Sequence, residues 1–280
     1  MYDLLVEPFS SPFMVRALLA GLLAVLTCSL VGTWVVIRGL SFMGDALAHA
    51  VLPGIAVAYL LGVDPVIGAF ASAAITVVGI NLASRRGQVS EDTGIGLLFV
   101  GMLALGVIII SRSDSFTTDL NGFLFGDVLG VRVHDLWVQA GAAVVVIAAT
   151  AALYRPFLAL SFNADKAASL GLRPDRASAA MLGLMALAIV SSFKSVGSLL
   201  VVGLLVAPPA TATLLVRRVP LAMATATAIG AVCVWAGLLV SYHHDTAAGA
   251  TMSGLAVAVF FVVLSAKELA AHTTRERLAA

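Results

Sequence analysis

The sequence has little charge and therefore few groups for a water-facing surface. Of its 280 residues, 11% are Asp, Glu, Lys or Arg and 61% are hydrophobic, and the mean hydropathy is +1.07. Soluble domains are about half apolar and about one quarter charged. The composition excludes a soluble globular enzyme and a disordered chain, and a net charge of +1 leaves no basic excess for binding nucleic acid. A multispanning membrane protein remains.

The sequence also lacks a disulfide framework and a nucleotide-binding loop. Its two cysteines, Cys28 and Cys233, each lie within an apolar run, as buried free thiols do. The phosphate-binding pattern G-x-x-x-x-G-K-S/T is missing, and none of the three lysines follows a glycine. We therefore predict that the chain is not an enzyme and that any ATP is bound and hydrolysed by a partner chain.

Long apolar runs predict membrane-spanning helices. About 20 mostly apolar residues cross a hydrocarbon layer about 30 Å thick, and these runs are continuous rather than alternating, which favours helices over barrel strands. We predict an all-α polytopic membrane protein with one domain, residues 1–280, and nine spans, or eight if one run is re-entrant or lies in the membrane interface. The candidate runs are 13–37, 42–61, 65–84, 93–111, 135–153, 177–193, 197–216, 221–241 and 250–266.

The distribution of basic residues predicts the orientation of the spans. Cytoplasmic connections are enriched in Lys and Arg, and 12 of the 16 basic residues share one side if Arg38, 85–86, 154–176, 217–218 and the C-terminal tail lie there. We predict that this side, with the C-terminus, is cytoplasmic. The opposite side is acidic, which either concentrates cations at an entrance or is ordinary loop composition.

An acid and a histidine occur at membrane depth. Asp45 and His49 are four residues apart, so they share one face of a helix. At about 1.5 Å per residue from Arg38, they lie ~10 Å and ~16 Å deep, where ionisable groups are costly and mark functional sites. A carboxylate oxygen with an imidazole nitrogen is half a site for zinc, manganese or iron(II). The alternative is an internally hydrogen-bonded pair that fixes helix packing.

Prolines predict two irregular places in the spans. Pro53-Gly54 is expected to open the helix that carries the acid–histidine pair and to free carbonyls near it. Pro208-Pro209 removes two helix donors and is expected to break the run 197–216. That break would be either a gate hinge or a packing irregularity.

The longest predicted cytoplasmic connection, about 154–176, contains a short helix signal. Asn163 is suited to the N-cap, Asp165 to the positive end of the helix, and Gly171 to the C-cap. Phe162 and Ala168 would contribute to a small apolar face. This segment is either a dock for a partner or a capped surface turn.

Five fragments, in order along the chain, resemble the zinc/manganese/iron(II) permease family of ATP-binding-cassette importers. The first, Ser-Phe-Met-Gly-Asp-Ala-Leu-Ala-His-Ala-Val-Leu-Pro-Gly at 41–54, resembles the family signature. The others are Glu91–Gly96, Leu124–Asp127, Val196–Leu200 leading to Ala207-Pro208, and Asp245 followed by Gly249–Thr251.

The resemblance implies a function and a set of partners. Asp45 and His49 would hold the transported ion transiently, and no cofactor would be bound permanently. The loop would contain the coupling helix that inserts into a groove on the ATPase, through Asn163, Asp165, Ala167, Ala168 and Gly171. The expected partners are a cytoplasmic ATP-binding-cassette ATPase, an extracytoplasmic metal-binding protein, a second permease copy and the lipid bilayer of a bacterial plasma membrane, and no nucleic acid.

Histidines at the outer side favour zinc as the cargo. His243, His244 and Asp245 are adjacent, and His134 also lies at an outer edge. These residues either pass zinc from a donor protein to the pore or are solvated loop residues. A manganese or iron(II) importer is the first alternative, and a stand-alone secondary cation transporter is the second. A membrane metalloenzyme is disfavoured because no H-E-x-x-H motif occurs.

Overall fold

A computed structural model of the chain describes residues 7–85, 91–111, 126–128, 130–162, 164–169 and 171–279. These residues form twelve α-helices after a 3-10 turn at Glu7–Ser10, and the described ranges contain no strand. The prediction of an all-α fold is confirmed. The helices are α1 Pro12–Ile37, α2 Ser41–Ala50, α3 Leu52–Leu60, α4 Pro65–Arg85, α5 Glu91–Ile110, α6 Val133–Ala152, α7 Tyr154–Phe162, α8 Ala164–Ser169, α9 Pro174–Val196, α10 Ser198–Leu215, α11 Val219–His244 and α12 Ala248–Ala279.

Eight segments of the described chain are long and apolar enough to cross a membrane. They are α1, α2 together with α3, α4, α5, α6, α9, α11 and the first part of α12. The ninth predicted run corresponds to α10, whose apolar part, Leu200–Leu215, is shorter than a full span. The described helices therefore agree with the lower of the two predicted numbers, with α10 as an additional apolar helix.

Helix α10 lies at the centre of the bundle. It packs against α1, α2, α9, α11 and α12, and its Val201, Leu204 and Leu205 side chains are completely buried. Because other helices surround it, its backbone is shielded from lipid along much of its length. A helix in this position can be shorter than the hydrocarbon layer without exposing unpaired backbone groups.

The predicted break at Pro208 and Pro209 is wrong. Helix α10 continues through both prolines, and both are buried. Pro209 removes the donor that would pair with the Leu205 carbonyl, but the α1 backbone approaches this carbonyl so closely that a β-carbon on Gly32 would overlap its oxygen. Cα–H contacts with carbonyl oxygens recur where helices approach closely. Packing against α1 therefore supports the helix where the local sequence predicts a break.

The span that carries the acid–histidine pair is divided, as Pro53 predicts. Helices α2 and α3 are separated by the single residue Val51. Pro53 has no N–H with which to bond the His49 carbonyl. The Ser72 hydroxyl of α4 donates a hydrogen bond of 2.5 Å to the neighbouring Ala50 carbonyl. The interruption therefore frees backbone acceptors beside His49, and α4 satisfies one of them.

Candidate metal site

Helix α2 carries a polar stripe, Asp45 and His49, on an otherwise largely buried surface. Asp45 Oδ1 lies 3.7 Å from His49 Nε2, and the two side chains are 42% and 20% exposed. From Met43 to Ala50, all residues of the helix except Asp45 and His49 are buried. The pair therefore faces a space that the described part of the chain does not fill, and we call this space the metal path.

The separation within the pair leaves both ligand atoms available. A distance of 3.7 Å is longer than a hydrogen bond, so the geometry lacks the internal hydrogen bond of the packing alternative. Two ligand atoms that each lie about 2.1 Å from one ion are at most about 4.2 Å apart. The Asp45 oxygen and the His49 nitrogen are thus close enough to contact a common metal ion.

His49 lacks the hydrogen bond that usually anchors a metal-binding histidine. Its Nδ1 atom is buried and has no hydrogen-bond partner among the described residues, whereas resident metal sites normally hold this nitrogen with a carboxylate or a carbonyl. The ring packs edge to face against Phe99 of α5, with 5.3 Å between the ring centroids. Such loose anchoring suits an ion that passes through better than one that stays.

The pair contributes only two protein ligands. Across the residues that the structure describes, no three His, Cys, Asp or Glu side chains are grouped so that they could hold a metal ion. Zinc usually takes four ligands, and manganese takes more. As a metal site, Asp45 and His49 alone would therefore be incomplete and would need further ligands from water or from another chain.

A second polar cluster lies where α4, α6 and α9 meet. Lys194 Nζ, near the end of α9, is 3.3 Å from Asp135 Oδ1 and 3.9 Å from Asp64 Oδ1. The three side chains and His134 line a cavity of about 810 Å³. The sequence indicates an acidic outer side, but it gives no signal that one lysine pairs with two of the aspartates. That pairing depends on the packing of segments far apart in the chain.

The predicted outer relay residues lie at the end of α11. His243, His244 and Asp245 are all exposed, and Asp245 ends the helix with a left-handed backbone, φ 51°. His243 Nδ1 lies 2.8 Å from the Leu239 carbonyl oxygen, so its own helix engages one ring nitrogen. The relay of metal through these residues stays a prediction.

The predicted coupling residues lie around α8. Asn163 is outside the described residues, and so is the side chain of Asp165. Ala167 is buried and Ala168 is exposed. Phe162, at the end of α7, is 83% exposed and is a large apolar side chain on the predicted cytoplasmic surface.

Gly171 ends the α8 turn in the conformation expected of a C-cap. Its φ is 75°, and its N–H donates to the Ala168 carbonyl at 3.0 Å. The Leu172 N–H donates to the Ala167 carbonyl at 3.1 Å. These two bonds form a Schellman motif, in which glycine is favoured because a β-carbon strains the left-handed conformation. The prediction that Gly171 caps this helix is confirmed.

Comparisons with known proteins identify the family. A profile of the ABC 3 transport family matches residues 10–267. The manganese transport system membrane protein MntC of Listeria monocytogenes is 37% identical over 250 residues, 89% of each chain. The chelated iron transport system membrane protein YfeD of Yersinia pestis is 35% identical over 267 residues, 94% of this chain and 88% of YfeD. The structure of PsaBC from Streptococcus pneumoniae in complex with Fab has a TM-score of 0.84 and 29% identity, covering 94% of this chain and 95% of that chain. The chain therefore belongs to the ABC 3 transport family, as a membrane-embedded permease.

Proposed function

We propose that this permease moves a divalent transition metal ion into the cytoplasm as the membrane-spanning subunit of an ATP-binding-cassette importer. The observation that carries the proposal is the Asp45–His49 pair, with its ligand atoms 3.7 Å apart on an uncovered face of a spanning segment. Ionisable side chains at this depth mark ion pathways. Both side chains are ligands that divalent transition metals accept.

The proposed pore contains two copies of the chain. One copy offers two ligands on a face that its own described residues leave open. A second copy related by a two-fold axis would present the same pair from the opposite side, which gives four ligands from two chains. Two-fold symmetry is the commonest arrangement of homo-oligomers. The weak anchoring of His49 would then allow the ion to leave.

Manganese is the proposed cargo to test first. MntC and YfeD are named for manganese and chelated iron transport. Carboxylate oxygens suit manganese, while imidazole also suits zinc and iron. Zinc, the cargo that the sequence favours, rests on His134, His243 and His244. His243 already uses Nδ1 within its own helix, which weakens that argument. Zinc and iron(II) stay as alternatives of the same importer type.

The proposed energy source is a separate cytoplasmic ATPase, docked at the α8 turn. This segment contains the turn capped at Gly171, the exposed Ala168 and, at the end of α7, the exposed Phe162 ring. Insertion of this ring into a groove of a partner would remove its apolar surface from water, which is favourable. An extracytoplasmic metal-binding protein would deliver the ion, and the site of action would be a bacterial plasma membrane with the C-terminus of the chain in the cytoplasm.

Uptake by the reconstituted importer tests the function and the cargo together. The permease, its ATPase and the metal-binding protein are placed in liposomes, and accumulation of Mn²⁺, Zn²⁺ and Fe²⁺ is measured with ATP and with a non-hydrolysable analogue. We expect ATP-dependent accumulation, fastest for Mn²⁺. Equal accumulation without the ATPase would support a secondary transporter and overturn the proposal, and faster Zn²⁺ uptake would reassign the cargo.

A further inference from the structure

Three rings form a continuous row beside the candidate metal site. The Phe99 ring lies 5.3 Å from the His49 ring and 6.1 Å from the Phe42 ring, measured between centroids. Both contacts are edge to face, with interplanar angles of 72° and 64°. Phe42 and His49 belong to α2, and Phe99 belongs to α5. Phe99 is therefore the middle ring of the row and contacts the other two from a neighbouring helix.

Phe42 lies on the face of α2 that carries the metal pair. It precedes Asp45 by three residues and His49 by seven, a spacing that keeps all three on one side of a helix. The Phe42 residue is 54% exposed, while Met43 and Gly44, which follow it, are buried. A large exposed apolar ring therefore lies on the face of α2 that borders the metal path, about one helical turn before the carboxylate.

The position of Phe42 along the span places it on the cytoplasmic side of the pair. Arg38 belongs to the basic side of the chain, and α2 starts three residues later. From Asp45, Phe42 is about 4.5 Å nearer to that side, at about 1.5 Å per residue. An ion that leaves Asp45 and His49 toward the cytoplasm along this face of α2 would pass the Phe42 ring.

We propose that Phe42 is an apolar inner gate, which closes the metal path just below Asp45 and His49, and that Phe99 is the positioning residue that holds its ring. Hydrophobic constrictions close pores by excluding water, and a divalent ion that loses its hydration there meets no replacement ligand. The gate rests on the proposed function, because it needs a path that conducts metal. In a pore of two copies, the two-fold axis that brings the two Asp45–His49 pairs together would also bring the two Phe42 rings to face each other.

A lipid-facing role is the competing explanation for an exposed phenylalanine, and the chain provides a matched control. Phe261 of α12 is 57% exposed, almost the same as Phe42, and lies in another spanning segment. If exposure to lipid were all that mattered, Phe42→Ala and Phe261→Ala would affect transport alike. If Phe42 is a gate, Phe42→Ala opens the path and Phe261→Ala does not.

Passive metal flux through the assembled importer tests the gate. The complex with its ATPase is reconstituted into liposomes that contain a fluorophore quenched by Mn²⁺, and quenching is followed without ATP. We expect Phe42→Ala and Phe42→Ser to raise this leak about tenfold, which corresponds to about 1.4 kcal/mol of barrier. Phe42→Leu, which keeps an apolar side chain, should leak little, Phe99→Leu should leak to an intermediate extent, and Phe261→Ala should behave as the native protein.

The outcomes separate the gate from the proposed function. A Phe42→Ala complex that assembles normally, imports Mn²⁺ with ATP and leaks no more than Phe261→Ala would overturn the gate and leave the import function in place. Failure of the native complex to accumulate metal with ATP would instead contradict the proposed function. If Phe42→Ala does not assemble, the comparison of Phe42→Leu with Phe42→Ser decides, because equal leaks from these two variants would also overturn the gate.

Discussion

Gly54 of α3 and Gly68 of α4 contact each other backbone to backbone. A β-carbon built on either glycine would overlap the carbonyl oxygen of the other. Close approach of two helices through small residues is a common way to pack spanning segments. The contact fixes α3, the second half of the interrupted span, against α4. The same helix α4 carries Ser72, whose hydroxyl donates to the Ala50 carbonyl at the interruption.

Replacement of Gly54 by alanine is therefore expected to destabilise the bundle. The added methyl group must push α3 away from α4, at a cost of about 1–3 kcal/mol. The midpoint of thermal unfolding of the purified protein in detergent should fall. Gly183→Ala is the control, because nothing lies within 4 Å of a β-carbon at that position of α9. Equal midpoints for the two variants would contradict a close contact between α3 and α4 at Gly54 and Gly68.

Replacement of Gly171 tests whether the left-handed backbone at the end of α8, and not a lack of space for a side chain, requires glycine. Its φ is 75°, and nothing lies within 4 Å of a β-carbon there. Gly171→Ala should cost about 1–2 kcal/mol because of the left-handed backbone, whereas Gly171→Asn should cost less, since asparagine tolerates that conformation. We expect ATPase retained by an affinity-tagged permease to fall for the alanine variant and to be largely preserved for asparagine. The reverse order would contradict a conformational role.

Phe162 is predicted to contribute contact area to the ATPase complex without contributing to the permease fold. Phe162→Ala should weaken binding of the ATPase, measured by titration onto the immobilised permease, and leave the thermal midpoint of the isolated permease unchanged. Trp137→Ala is a suitable control, because Trp137 is 74% exposed and lies near the start of α6, at the opposite predicted membrane face. Similar losses of affinity for both variants would argue against a docked ring.

The Lys194 pairs should make a small contribution that depends on salt. Lys194 and Asp135 are partly exposed, with 37% and 22% of their side chains accessible, so a double-mutant cycle should give a coupling of about 0.2–1 kcal/mol. Asp64 is farther from Lys194 and more exposed, and its cycle should give a smaller value. Both couplings should decrease at high ionic strength. A Lys194–Asp64 coupling larger than that of Lys194–Asp135 would contradict the described geometry.

The sequence predicts the parts of this protein that depend on local chemistry. Apolar length identifies the spans, and the spacing of Asp45 and His49 places them on one face of α2. Pro53 predicts the interruption beside them. Gly171 predicts the cap of α8, because a left-handed residue at a helix end is a local property of the backbone.

Features that depend on tertiary contacts are not visible in the sequence. Phe99 follows His49 by 50 residues within an ordinary apolar run, so nothing local indicates that it packs against the imidazole. The continuation of α10 through its prolines depends on Gly32, in a different helix. Lys194 pairs with aspartates at two distant helix starts. In each case a contact between distant segments decides the structure.

ATP-driven accumulation of radioactive manganese by liposomes that contain the reconstituted importer tests the central claim most directly. Asp45→Asn removes the carboxylate charge and His49→Gln removes the imidazole nitrogen, each with little change in volume, and Asp64→Asn serves as a carboxylate control outside the described helices. We predict that the first two variants assemble with the ATPase but accumulate no more manganese than liposomes without ATP, while Asp64→Asn still imports. Native rates of uptake in Asp45→Asn and His49→Gln would contradict the assignment of this pair as the place where the ion is held.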